Sequence, residues 1–166
     1  YNLGTKKGYM YERSSIDDST YTFIADDMAI DDSLGLGEFR GNVVYKSKDT
    51  LGFDLLANNI KTDKKKSALL ATELPLLLIK QKNDTLYVSA DTLYSGKITD
   101  LKRPFPKARD SVGKMTDSTL DKYFEAFHHV QIYSDSLQAK CDSLFYALSD
   151  STIRLISRPI VWANNN

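Results

Sequence analysis

The sequence predicts an all-β chain of stacked antiparallel strands, and three observations carry that expectation. Apolar and polar residues alternate with period two in several stretches, short turn triplets recur between them, and two whole segments echo one another as strand-turn-strand units. Helical periodicity shows only at residues 118–127, where Leu120, Phe124 and Phe127 sit three or four apart. That stretch reads either as a short helix or as the lead into a strand.

In chain order, Val43, Val44 and Tyr45 open the series, since β-branched and aromatic side chains pack well on a pleated surface. Next, Phe53, Leu55 and Ala57 share one face against Asp54 and Asn58, with Leu56 interrupting the alternation. Leu86, Val88 and Ala90 alternate cleanly with Tyr87, Ser89 and Asp91. Residues 130–133 and 153–156 again carry β-branched and aromatic content, and between them Leu137, Ala139 and Cys141 oppose Gln138, Lys140 and Asp142. An Asp, a Ser or Thr, and a Leu follow one another at Asp32, Asp49, Asp84, Asp91, Asp135 and Asp142, with a variant at Asp150. Each triplet reads as a turn feeding a strand, because these short polar side chains bond nearby backbone groups.

The two echoing segments are DTLYVSADTLY at residues 84–94 and DSLQAKCDSLF at residues 135–145. Weaker echoes join residues 42–45 to 129–132 and residues 74–77 to 158–161, each of the latter pair carrying a Pro. Such units bury apolar faces only by stacking on their neighbours. Repeat one is expected at about residues 20–96 and repeat two at about 123–166. Residues 97–122, with Lys102, Arg103, Pro104, Pro106, Lys107, Arg109, Gly113 and Lys114, are expected to form a long exposed insertion loop between them.

At 166 residues, 42% hydrophobic and with ten Tyr and seven Phe, the chain has the apolar surface for one sizeable core. Lys plus Arg and Asp plus Glu both total 22, so there is no global field to attract nucleic acid, which is not expected as a partner. Apolar runs such as residues 74–79 fall far short of the roughly 20 residues of a membrane helix. The single Cys141 leaves no intrachain disulfide framework. The chain begins at Tyr1 and stops on Asn166, and it is expected to be an excised fragment from which a signal peptide has been removed upstream.

No constellation points to catalysis or to a cofactor. His128 and His129 are adjacent, so on a strand they would point to opposite faces and share neither a metal nor a proton relay. Cys141 falls on the inward face as a small core residue. Gly35, Gly37 and Gly41 lack the spacing of a phosphate-binding loop and read as turn glycines. The acidic pairs Asp26-Asp27 and Asp31-Asp32 match no calcium loop and read as solvated turns.

The strings GEFRGNVVY (37–45), LANNIK (56–61), VSADTLYS (88–95), YFEAFHHV (123–130) and RPIVWA (158–163) occur in an order that resembles the OstA-like branch of the LptA/OstA family. The resemblance implies a β-jellyroll of stacked antiparallel strands, open-ended, with an apolar groove that shields acyl chains while lipopolysaccharide crosses the periplasm. It implies no catalytic residue and no cofactor, and it leaves repeat two truncated. The implied partners are lipopolysaccharide or a related lipid, other Lpt-type envelope proteins, and a second copy docked end to end. An apolar face suffices for such a task, since each buried methylene contributes about 0.8 kcal/mol. The expected lipid-binding lining is Phe53, Leu55, Leu86, Val88, Val130, Ile132, Leu137, Ala139, Ile153 and Leu155. The competing reading is a structural or adaptor domain that binds another envelope protein through its sheet edges, and a third is a hydrolase without a recognisable motif.

Overall fold

A computed structural model of the chain describes residues 2–48, 52–80, 84–101, 121–149 and 151–163. Among these residues lie the long strands β1 (Lys7–Asp17), β2 (Tyr21–Asp31), β3 (Leu36–Ser47) and β4 (Phe53–Asp63), followed by the short β5 (Ala68–Thr72), β6 (Leu76–Lys80), β7 (Thr85–Ser89) and β8 (Thr92–Lys97). A 3-10 turn at Ile98–Asp100 precedes the long β9 (Lys122–Tyr133) and β10 (Leu137–Ala147), and the chain continues through β11 (Thr152–Ile156) and β12 (Ile160–Ala163). All pair antiparallel in one twelve-stranded sheet with a main order β1-β2-β3-β4-β5-β8-β9-β10-β11.

The short strands are halves of long ones. β4 pairs β6 through Phe53–Leu56 and β5 through Asn59–Asp63, so β5 and β6 form one strand broken at Glu73, Leu74 and Pro75. β9 likewise pairs both β7 and β8, broken at Ala90 and Asp91, and β10 pairs both β11 and β12, broken at Ser157, Arg158 and Pro159. The unbroken strands carry a register shift at the same level: Glu12 and Arg13 in β1, Gly41 and Asn42 in β3, and Asp142 opposite His128 and His129 where β10 meets β9. An extra residue on one side of a pair bends the strand and sharpens its twist. The bends coincide from strand to strand, so the whole sheet turns one corner and folds into a V.

Backbone angles at the corner agree. Glu12, Gly41, Asn42, Glu73, Leu74, His128, His129, Ser157 and Arg158 all have positive φ. Hydrogen bonds carry the ladder through the bend, with the Asn58 amide donating to the Glu73 carbonyl at 3.0 Å and the Asp91 and Asp142 amides to those of His128 and Ser157 at 3.1 Å. The core fills the V. Phe23, before the bend of β2, stacks on Phe39, before the bend of the antiparallel β3, at 4.0 Å between ring centres, and Phe53 meets Phe124 edge-on at 4.6 Å. Both pairs join residues on opposite half-sheets.

The all-β class and the jellyroll of stacked antiparallel strands stand as expected. Several local readings change. Described residues of the 118–127 stretch are strand from Lys122 onward, because Tyr123 and Phe124 alternate between the two faces. Asp142 lies inside β10 at the bulge rather than in a turn, and Gly37 lies inside β3. Leu56 does not break the alternation but points out, next to Val44 and Leu76 on the outer face. His128 and His129 are both exposed, since consecutive left-handed residues interrupt the alternation of faces. Most of the expected insertion loop, residues 102–120, and the triplet at Asp49 lie outside the described residues.

Candidate functional site

The site is the interior of the V and its open lip. Side-chain alternation aims one set of residues from each half-sheet at the other. Of the ten expected lining residues, Phe53, Leu55, Leu86, Val88, Val130, Ile132 and Ala139 are buried in one continuous cluster, with Ile153 and Leu155 packed against it. Leu137 is half-buried at the start of β10. Leu55, Val88 and Val130 are at most 1% exposed, which places them deep in the packed interior.

At the flank nearest the first strands the V stays open. A cavity of about 450 Å³ lies there, walled by Met10, Ile16, Tyr21, Phe39, Phe53 and Leu69 among others. Its volume is in the range of about 300–1,000 Å³ usual for small-molecule sites. Phe53 alone among the ten lining residues reaches it. An aromatic row, Phe23 to Tyr45 at 4.9 Å and Tyr45 to Phe53 at 5.0 Å, leads from its wall toward Phe124. Burial pushes the Tyr45 phenol up to about 12, so its hydroxyl is neutral at any ordinary pH.

Sequence reading missed Met10, Ile16, Tyr21, Phe39 and Leu69. Tyr21, Phe23 and Ala25 do alternate with Thr22 and Ile24, but Ile24 blurs the pattern, the inward set of β2 changes parity at the corner from Phe23 and Ala25 to Met28, and in β1 the polar residues from Glu12 to Ser15 separate Met10 from Ile16.

Elsewhere the polar groups serve the corner. Arg13 donates to Asp26 Oδ1 at 3.0 Å and to the Asn42 carbonyl at 2.7 Å, and Asn42 donates to Asp26 Oδ2 at 2.8 Å. His129 Nδ1 lies 2.8 Å from Asp91 Oδ2, and His128 Nδ1 lies 3.4 Å from Asp142 Oδ1. The Asn42 amide, with Arg13 behind it, holds the Asp26 carboxyl below the usual range, as the Ser143 hydroxyl and then His128 do for Asp142. Burial raises the Cys141 thiol, which makes it a poor nucleophile. Among the described residues, no three His, Cys, Asp or Glu side chains are grouped to hold a metal ion.

No family model and no curated protein matches the sequence significantly. A crystal structure of LptH from Pseudomonas aeruginosa, titled as the LptA-homologous periplasmic component of the conserved lipopolysaccharide transport device, is similar over 87% of this chain and 95% of its own, with a TM-score of 0.66 and 11% sequence identity. That likeness joins the bent strands, the aligned corner and the filled V to a known architecture: the chain has an LptA-like β-jellyroll fold.

Proposed function

We propose that this chain is a non-catalytic lipid-binding domain of the lipopolysaccharide-transport type, working in the periplasm. One observation carries the reading: the wall of the flank cavity is mostly apolar, with an aromatic row from Phe23 through Tyr45 to Phe53 that meets the core at Phe124. The fold shared with a periplasmic transport component supports it. In this reading an acyl chain enters past Met10, Tyr21 and Phe53 and runs along the inward face that includes Leu55, Leu86, Val88, Val130, Ile132, Leu137, Ala139, Ile153 and Leu155. The deeper of these residues become lipid contacts as the half-sheets part. Ten buried methylenes would contribute about 8 kcal/mol without any polar motif.

Native mass spectrometry of the domain purified from a Gram-negative periplasm, followed by lipid extraction, tests the proposal. Retention of lipopolysaccharide or a related acylated lipid is expected. A protein that carries no lipid and takes up no acyl-chain probe overturns it.

A second reading, an adaptor domain, rests on the sheet edges. β1 presents exposed Tyr9 and Tyr11, and β12 presents Ile160, Val161 and Trp162, each about half exposed. Unpaired backbone groups on such edges accept another strand, from an Lpt-type envelope protein or from a second copy docked end to end. Light scattering over a concentration series is expected to show self-association that Pro substitutions within β1 abolish, and a monomer at every concentration removes the self-docking reading.

A further inference from the structure

Two lysines stand side by side at the lip of the V where the cavity opens. Lys122 begins β9 and lies directly opposite Lys97, the end of β8. Lys122 lines the cavity, and its ammonium sits 5.7 Å from the centre of the Phe53 ring. Ser95 also lines the cavity, so Lys97, two residues on, shares that face. Like charges directly opposite on a sheet repel, and a half-buried ammonium without a counter-ion is costly.

Among the described residues the acids near the pair are engaged elsewhere or lie farther off. Among the described residues, neither Lys97 nor Lys122 has an ion-pair partner. Asp121, next in the chain, accepts a hydrogen bond from Thr99 at 3.1 Å, and Asp54 is bound to Lys80 at 2.8 Å. Glu125 shares the outward face with Tyr123. Of the acids on the cavity rim, Asp63 pairs with Lys66 at 3.3 Å and lies two strands from Lys97 and three from Lys122, about 10 and 14 Å at roughly 4.8 Å per strand. Asp18 accepts from Ser19 and Thr20, and Asp32 follows β2, farther still along the stack. Burial first, and then the neighbouring Lys97, lowers the Lys122 ammonium below its ordinary value.

We propose that the Lys97–Lys122 pair is the seat of an anionic headgroup, a carboxylate or phosphate attached to an acyl chain that occupies the cavity against Phe53 and Phe39. The proposal rests on the lipid-binding reading and deepens it. The apolar wall selects the chain, and the paired ammonium groups select its charge.

Binding of dodecyl phosphate, dodecanoate and the neutral dodecanol, each below its micelle concentration, tests this by isothermal titration on the wild type and on Lys122→Met, Lys122→Arg and Lys97→Met. The wild type is expected to hold both anions about tenfold or more tighter than the alcohol. Lys122→Met should lose that preference while binding dodecanol at least as well, Lys97→Met should weaken it, and Lys122→Arg should keep it. Equal binding of all three compounds by the wild type, or an undiminished preference in Lys122→Met, overturns the headgroup seat and leaves the lipid reading standing. Failure to bind any of the three overturns both. Displacement of dodecyl phosphate by millimolar inorganic phosphate alone would show a free-anion site and overturn the amphiphile proposal.

Discussion

Gly41 shows how tightly a single corner residue is specified. Its φ of +72° is one that L side chains rarely adopt, and an added Cβ would lie 2.7 Å from Asp26 Oδ2, the oxygen that Asn42 holds. Gly41→Ala is expected to destabilise the domain by about 1–2 kcal/mol through the left-handed backbone alone, with more from the displaced carboxylate. Urea unfolding measures it, and an unchanged midpoint would contradict the corner geometry. Asp31 behaves differently, being held by donors rather than by space. The Ser33 hydroxyl and the Leu34 amide, with Lys7 at 3.3 Å, lower its carboxyl from 3.8 to about 2. A depressed carboxyl pKa contributes stability that is fully present above about pH 4 and is lost as pH falls toward 2. The melting temperature of the wild type is therefore expected to drop across that window, and that of Asp31→Asn to drop less. Parallel curves for the two proteins would show that Asp31 has no part in the acid response.

At the scale of the strand, interior and lip residues separate by their response to truncation. Leu55→Ala, in the packed interior, is expected to cost about 2–5 kcal/mol. Leu36→Ser, at the rim of the cavity and 44% exposed, is expected to cost under about 0.5 kcal/mol yet to weaken acyl-chain uptake. Denaturation and probe binding on the same samples distinguish the two, and a Leu36→Ser protein with full uptake would move the entrance elsewhere. The inward faces of β4, β7 and β10 were legible because their apolar residues keep strict parity between bends. The corners were visible only as composition. The Gly-Asn of β3, the Ala-Asp between β7 and β8 and the Cys-Asp of β10 repeat in the sequence, but they read as turns between strands because a small residue followed by a polar one signals both a turn and a bulge. The same ambiguity made the segments at residues 84–94 and 135–145 look like hairpins, whereas each is one bent strand lying on either side of β9. The cavity was less legible still, since the polar residues at the corner of β1 separate Met10 from Ile16 and the inward parity of β2 changes at the same level.

At the scale of the molecule, the two half-sheets are joined covalently at the corner and otherwise held by side chains that meet across the V. Phe23 and Phe39, stacked with ring planes 6° apart, form one such contact, and both line the cavity. A double-mutant cycle of Phe23→Leu and Phe39→Leu is expected to give a coupling of about 0.5–1.5 kcal/mol. Additive effects would mean that the halves are held by general burial, with no share for this pair. The same substitutions should ease the parting of the lips, so acyl-chain probes are expected to bind faster to Phe39→Leu than to the wild type, as stopped-flow fluorescence would record.

The alignment of the bends has a consequence for how such a molecule can change length. Every strand crosses the corner at the same level, so the cross-section is repeated along the stack, and each strand adds about 4.8 Å to it. Because neighbours run antiparallel, deleting or duplicating one strand reverses the direction of everything beyond it, whereas two strands restore it. Length is therefore quantised in steps of about 10 Å, and a hairpin can be gained or lost between β2 and β5 with the profile of the remaining V unchanged.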